Sequence, residues 1–365
     1  MTLITYQKNP FLEVYEDILE REIEGRFTRI RIGNHAEKIP CPLNFLVDSM
    51  LLHATEIIGA GSYSKVFEAH LTGADKIVAL KISDGNPLHD KSIIREAKII
   101  TQIYQRCFNA INHIGLLYHW GPYTISRLTP SPFFSIFSSF NNEKIKGRAL
   151  VLEMLGPNLK KLATKNLDFS ELQLIAKDIA KALLVLKKAE VIHADLKLEN
   201  IVTTKFSYCK IIDFGLSRLS SEVFSKENIT LPMQTEYYRS PEVWLFGKVH
   251  AFQITQAIDM WSFGCILAEL KTGRVLFRSL ADIFFTLEKP QHKAYIQIYD
   301  EVLKKHTSFR KSSLKEKLFG ENELNNDIER YFLDLLQKIF VYDSLERITP
   351  KEVLKHPFIR ELFFV

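Results

Sequence analysis

The sequence predicts an α+β molecule of two lobes, a small β-rich lobe followed by a larger, mainly helical one. Three observations carry that expectation. Short β-rich runs separated by turns fill residues 54–82. Beyond residue 156 the apolar spacing becomes helical, with Leu172, Ile175, Ile179, Leu183 and Leu186 on one face. Between the two patterns, the apolar run Ala149–Glu153 ends at Met154-Leu155-Gly156-Pro157, a turn suited to a hinge. The expected organisation is an extension over 1–50, one domain over 51–359 divided between residues 155 and 156, and a short tail over 360–365.

The bulk numbers permit this. A chain of 365 residues with 46% hydrophobic and 12% aromatic residues has ample material for a core. Its net charge of +5 is modest and demands no nucleic acid. No apolar run approaches the roughly 20 residues of a membrane helix, and no secretory leader pattern opens the chain. No membrane partner and an intracellular location, nuclear or cytosolic, are therefore expected. The four cysteines, Cys41, Cys107, Cys209 and Cys265, lack the paired spacing of a zinc site or a disulfide framework.

In chain order, Phe11 to Arg26 is helix-like and charged, and Ile39-Pro40-Cys41-Pro42 interrupts any helix. This extension is read as a strand or helix packed on the side of the next domain, with a dedicated partner-binding arm as the alternative. Three strands follow, over 54–58, up to Phe67, and over 77–82. The turn between the first two is Gly59-Ala60-Gly61-Ser62-Tyr63-Ser64-Lys65-Val66, whose glycines let backbone N–H groups approach phosphate oxygens. Val78-Ala79-Leu80-Lys81 then sets a lysine on a rigid strand beneath that turn. Residues 92–100 have helical period and carry Glu96, the natural anion for Lys81. Residues 104–149, punctuated by Ser and Pro, read as loops around two strands. The helix that opens near Phe169 has Ser170 as its candidate cap.

That helix leads into Val191-Ile-His193-Ala-Asp195-Leu-Lys197-Leu-Glu-Asn200, with Asp213-Phe-Gly215 shortly after. Phosphoryl transfer from a nucleotide requires alignment and charge neutralisation more than covalent chemistry. Asp195 can orient a hydroxyl and accept its proton, and Lys197 can reach the transferring group. Asn200 and Asp213 offer the hard oxygens that magnesium prefers.

These residues together resemble the eukaryotic protein kinases. The likeness covers about Glu56 to Ile359, through Gly59-x-Gly61, Val78-Ala-Leu-Lys81, Glu96, His193-x-Asp195-x-Lys197-x-x-Asn200, Asp213-Phe-Gly215, Ser240-Pro-Glu242, Asp259-x-Trp261-Ser-x-Gly264 and Arg347. The resemblance implies ATP between two lobes, with Lys81 on its phosphates. Adenine is then expected among Ile58, Val66, Ala79, Leu152 and Val202, with hydrogen bonds from the hinge backbone of Glu153 to Leu155. Asp195 is then the proton acceptor, and Asn200 and Asp213 hold Mg2+. Glu242 and Arg347 form a buried pair that fixes the activation segment. Lys197, two residues after Asp195, resembles the serine/threonine side of the family. Protein substrates and a monomer are expected.

Gln234-Thr235-Glu-Tyr-Tyr-Arg239-Ser-Pro-Glu-Val243 and Ala257 to Leu270 resemble the CMGC group of cyclin-dependent, mitogen-activated, Clk and dual-specificity Tyr-regulated (DYRK) kinases. Residues 149–162 look closest to the DYRK branch, which keeps dual specificity within range. The group likeness implies a preference for proline after the acceptor, with Arg239 as its motivating residue. The alternative is a pseudokinase, a scaffold that keeps the fold without turnover.

Three departures from the family pattern stand out. Ala194 replaces the arginine that commonly receives an activation-segment phosphate, Leu198 replaces a proline, and Ser64 replaces the third loop glycine. Thr235-Glu236-Tyr237 looks like a mitogen-activated phosphorylation lip. Counted back from Arg239, however, Thr235 falls where the family has the threonine that bonds near the catalytic aspartate, and Pro232 occupies the regulatory tyrosine position. Ser220, Ser221, Ser225 and Thr230 are alternative modification sites. Residues 280–326 match a group-specific insertion, Lys- and Ser-rich around 304–317, read as a solvated face.

Overall fold

The computed structural model describes residues 37–60, 64–126, 146–161, 163, 167–204, 209–222, 233–246, 254–291, 293–305 and 311–361. The helix expected over 11–26, the tip of the glycine turn at Gly61, Ser62 and Tyr63, and Ser225, Thr230 and Pro232 lie outside these residues. The chain forms two compact units, one of residues 1–82 and 118–154, the other of 83–117 and 155–365.

The first unit is a closed barrel in the order β1-β2-β3-β4-β6-β5. Its strands are β1 (Glu37–Val47), β2 (Met50–Ala60), β3 (Lys65–Leu71), β4 (Ile77–Ile82), β5 (Leu117–Ser126) and β6 (Gly147–Glu153). The pairs β1–β2, β2–β3, β3–β4, β4–β6 and β1–β5 run antiparallel, and β1 closes the ring by pairing with both β2 and β5. The ladder of β1 shifts register between Lys38 and Leu43, across Pro40 and Pro42, which have no N–H to donate. Strand periodicity sends Phe45, Val47, Phe67, Ala69, Val78, Leu80, Ala149 and Val151 into the core. Phe45 stacks near Phe67 and Tyr123, with ring centroids 5.3 and 5.9 Å away.

The second unit opens with α1 (Pro87–Arg106) and centres on α2 (Phe169–Lys188) and α4 (Ala257–Thr272), with the single-turn α3 (Pro241–Trp244) between them. The sequence expectation for the start of α2 needs a correction. Asp168, not Ser170, is its cap: its side chain accepts from Glu171 N at 2.8 Å, while Glu171 reaches back to Asp168 N at 3.0 Å. A carboxylate outside the first turn can make this reciprocal pair, whereas Ser170 lies within the helix and donates to Asp168. The helix buries two polar side chains besides its apolar stripe, Gln173 and Asp178. Gln173 donates to the carbonyls of Phe358 and Glu361 at 2.7 and 2.9 Å, tying α2 to the end of the described chain.

Helix α4 is buried almost throughout, so it has no polar face to present to solvent. It ends at Gly273, whose φ of 69° forms a left-handed cap. The remaining helices are α5 (Leu280–Thr286), α6 (Lys293–Lys305), α7 (Leu314–Phe319), α8 (Asp327–Ile339), α9 (Pro350–Val353) and α10 (Pro357–Arg360). Within the Lys-rich 280–326 region, Lys317 serves the structure, bonding Asp282 and the Leu276 carbonyl. Lys304 and Lys305 are exposed.

Candidate active site

In the first unit four of the expected nucleotide residues, Val66, Ala79, Lys81 and Leu152, fall on one side of the barrel wall. Lys81 sits opposite Val66 on β3, and Ala79 opposite Leu152 on β6. Because side chains alternate across a strand, Val66, Ala79, Lys81 and Leu152 share the face turned away from the barrel core. Lys81 is 9% exposed. Gly59 and Ala60 end β2 beside Val66 and Lys65, after a register shift that contains Ile58. Ser64 precedes β3 and Glu153 ends β6.

The second unit holds the other residues. The short strand β7 (Val191–Ile192) enters the loop at His193 and Asp195, a 3-10 turn carries Leu198–Asn200, and the hairpin β8 (Ile201–Thr203) and β9 (Cys209–Ile211) returns to Asp213. Val202 lies buried on β8. Leu155 follows the unit boundary, and Gly156 N donates to the Thr203 carbonyl at 2.9 Å. A side chain at Gly156 would meet that carbonyl at 2.7 Å, so only glycine fits this turn.

The loop is held from beneath by Asp259 on α4. Its carboxylate accepts from His193 N at 2.7 Å and Ala194 N at 2.9 Å. Burial pushes the Asp259 pKa up, against these bonds and the neighbouring His193, which pull it down. His193 accepts from Asp195 N at 3.3 Å and meets the Ile212 carbonyl at 3.0 Å. Its ring packs edge-on against Phe214. Ala194 has φ of 63°, a left-handed backbone that its small side chain tolerates at a modest cost.

Asp195 is engaged at both oxygens. Thr235 Oγ1 donates to Oδ1 at 2.7 Å, Lys197 pairs with Oδ2 at 3.0 Å, and Asn200 Nδ2 donates to Oδ2 at 3.3 Å. Lys197 also donates to Thr235 Oγ1 at 3.2 Å, and Asn200 to the Asp195 carbonyl at 2.9 Å. The four side chains make one hydrogen-bonded set with 8% exposure at Asp195. Asn200 spends its amide nitrogen on Asp195, so the atom it can bring to a cation is its amide oxygen.

Asp213 is close along the backbone. Ile212 N donates to the Asn200 carbonyl at 3.0 Å. The φ of Asp213 is 64°, and its Oδ1 accepts from Gly215 N at 3.4 Å. Glu96, from α1 of the same unit, accepts from Phe214 N at 3.3 Å and is 1% exposed. Ser92, one turn earlier on α1, donates to the Gly215 carbonyl at 3.4 Å.

The platform after Asp213 is equally specific. Arg347 forks onto Glu242 with bonds of 2.7 and 3.1 Å, both side chains being almost fully buried. Its remaining donors reach the carbonyls of Ala257 and Val341. A buried ion pair is stable only when its spare hydrogen-bonding capacity is filled, as here. Arg239 donates to the carbonyls of Met233 and Gln234 at 3.3 and 3.0 Å and lies over the Trp244 ring. Desolvation lowers the Arg239 pKa, with Glu236 opposing.

Sequence reasoning misses two anchoring residues. Asp259 enters it only as part of a motif, although it fixes the loop backbone. Gln234 enters only through its place in the run, although it is buried with φ of 56°. The available signal is a long amide beside Thr235, in a chain position too short to be a helix or strand.

Known proteins resemble this chain over most of its length. The family described as the protein kinase domain matches residues 52–359. The chain is 28% identical to the extracellular signal-regulated kinase 1 of Candida albicans (strain WO-1) over 84% of this chain and 72% of the relative. It is 27% identical to the mitogen-activated protein kinase pmk-3 of Caenorhabditis elegans, over 96% of this chain and 72% of that protein. With the dual specificity tyrosine-phosphorylation-regulated kinase 2 of Drosophila melanogaster it shares 29% identity over 84% of this chain and 41% of the relative. A match over most of the chain, shared between mitogen-activated and DYRK relatives, settles the membership: this chain belongs to the protein kinase family, in its CMGC group.

Proposed function

We propose that the protein transfers the terminal phosphoryl group of ATP, with Mg2+, to serine or threonine hydroxyls of protein substrates. The observation that carries the reading is the Asp195 set, a buried carboxylate bonded to Lys197 and Asn200 of its own loop and to Thr235 from beyond Asp213. An acceptor hydroxyl that displaces part of this network gives its proton to Asp195 as its oxygen bonds to the terminal phosphorus of ATP, while the bond from that phosphorus to the bridging oxygen breaks and ADP leaves with the electron pair. Lys197 moves from Asp195 to the charge building on the transferring oxygens. Thr235 holds the far carboxylate oxygen, so Asp195 keeps one orientation while its partner changes.

The amide oxygen of Asn200 and the carboxylate of Asp213 suit magnesium, a hard cation that takes oxygen ligands. Bound there, magnesium supplies neutralisation of phosphate charge. The donor types, and the Ile212–Asn200 backbone bond that keeps the two residues adjacent in the fold, support the assignment. Lys81 is assigned to the nucleotide phosphates and the Val66, Ala79 and Leu152 face to the base.

Serine/threonine use rests on Lys197, placed two residues after Asp195. The Gln234 carbonyl supports a preference for proline after the acceptor, because Arg239 already occupies it. A peptide N–H arriving beside that carbonyl finds its acceptor engaged, and proline has no N–H to leave unsatisfied.

The test is a single-turnover assay with a peptide library, on the wild type and Asp195→Asn. Wild type should label serine or threonine peptides, and the variant should lose about three orders of magnitude or more in rate, as for a group acting within a concerted set. Full transfer by Asp195→Asn would overturn the reading.

A further inference from the structure

A buried carboxylate that takes no part in the chemistry above lies beside the Asp195 set. Glu269, near the end of α4, is 3% exposed. Its Oε2 accepts from the Tyr238 hydroxyl at 2.6 Å, and its Oε1 accepts from Lys160 Nζ at 2.6 Å. The two partners cover it differently. Tyr238 is buried in the 3-10 turn Glu236–Tyr238, whereas the Lys160 side chain, on the 3-10 turn Leu159–Lys161, is 47% exposed. The carboxylate is therefore closed on its Tyr238 side and reached from solvent along the lysine.

Both turns border the residues that hold Asp195. The turn Glu236–Tyr238 directly follows Thr235, which bonds Asp195, and packs on α4. The turn Leu159–Lys161 packs on the turn Leu198–Asn200, whose Asn200 also bonds Asp195. Glu199, exposed between Leu198 and Asn200, is near enough to act electrostatically on both Lys160 and Tyr238. The bond to Glu269 raises the Lys160 pKa, with burial opposing, so the amine keeps its charge. Burial and the Glu269 bond push the Tyr238 phenol up, so it remains a neutral donor. The charge on Glu269 is balanced by Lys160.

We infer that Lys160 is a specificity-determining residue: its amine occupies, from within the chain, a buried carboxylate site beside the Asp195 loop that would otherwise take a basic side chain of the substrate. This deepens the protein kinase reading and rests on it. Arg347 is closed in with Glu242, as an ion pair that serves the fold alone is. Lys160 instead lies half open to solvent, next to the loop that carries Asp195. With the amine removed, Glu269 keeps one neutral partner, and a guanidinium arriving on the peptide meets Glu269 and Glu199 together. With the amine in place the Glu269 charge is already cancelled, and arginine gains little there.

The experiment measures kcat/KM for a peptide series in which arginine replaces alanine at each position near the acceptor in turn. It uses the wild type, Lys160→Met, and Lys160→Met combined with Glu269→Gln. Lys160→Met should raise the arginine-to-alanine ratio about tenfold over wild type at one of these positions, the equivalent of one hydrogen bond to a charged group gained in the transition state. Adding Glu269→Gln should cancel the rise. A lysine with a purely structural role lowers the amount of folded enzyme and scales all peptides alike, so the ratio is the discriminating readout. A folded Lys160→Met protein whose ratios all match the wild type overturns the inference, as does a rise that survives Glu269→Gln. Should Lys160→Met fail to fold, Lys160→Gln, whose amide still donates to Glu269 without a charge, takes its place under the same criterion. A wild type that phosphorylates no peptide of the series defeats the kinase reading itself, and this inference with it.

Discussion

A methyl group added at Gly264 would stand 2.5 Å from Ile339 Cγ2 and 2.9 Å from two ring carbons of Phe340. Both neighbours are buried and packed, Phe340 against Trp261 and Phe277. Gly264→Ala should therefore cost about 1–3 kcal/mol, read as a lower denaturation midpoint. Arg347 is the opposite case, a large group whose loss leaves something behind. Arg347→Ala strands the Glu242 carboxylate, 2% exposed, with no cation, and should cost about 3–5 kcal/mol in the same measurement. At this scale the sequence is informative where function is local in the chain. Asp195, Lys197 and Asn200 lie within one short loop, so spacing alone proposes their chemistry. Gln234 and Asp259 act through partners 24 and 66 positions away, and no local pattern encodes such bonds.

Among the elements, strand β1 and the cap of α2 depart most from what their residues suggest. Two prolines argue against a helix near residue 40, but they do not forbid an antiparallel strand that carries its irregularity at those positions. What makes β1 a strand is nonlocal, its pairing with β2 and β5. The short α10 yields a pH prediction. His356 caps it, with Nδ1 accepting from Phe358 N at 3.3 Å, while Nε2 meets Asp334 of α8 at 2.8 Å. That pattern assigns the proton to Nε2. Burial holds the imidazole below its ordinary value of 6.5, Asp334 opposing and Lys338 adding to the depression. A histidine with a lowered folded pKa contributes stability that is complete above 6.5 and is lost as pH falls from there toward the folded value. Protonation also places a hydrogen on the nitrogen that caps α10. Asp334 is itself depressed, but its loss begins below the ordinary 3.8, outside this window. Thermal melts should show wild type losing stability as the pH falls below 6.5, and His356→Asn, which keeps a capping oxygen, losing less.

On the scale of the whole chain, a β barrel and a helical unit follow from the change of apolar period near residue 156, and the structure places a unit boundary at Met154 and Leu155. The division expected between residues 155 and 156 assigns α1 to the small lobe, because chain order says nothing of what the helix packs on; packing groups it, along with Glu96, with the helical unit. The expected nucleotide and metal residues are thereby distributed over both units, with Lys81 in one and Asn200 and Asp213 in the other. A ligand that binds only folded protein stabilises it by mass action, about 2.7 kcal/mol when present at a hundred times its dissociation constant. ATP with magnesium should thus raise the unfolding temperature of the wild type above the value with ATP and a chelator. Asp213→Asn should keep the increment due to nucleotide alone and lose the increment due to magnesium, since an amide replaces the charged oxygen donor. If magnesium adds nothing in the wild type, Asn200 and Asp213 are not its ligands. If Asp213→Asn responds to magnesium as the wild type does, the metal is held by other groups.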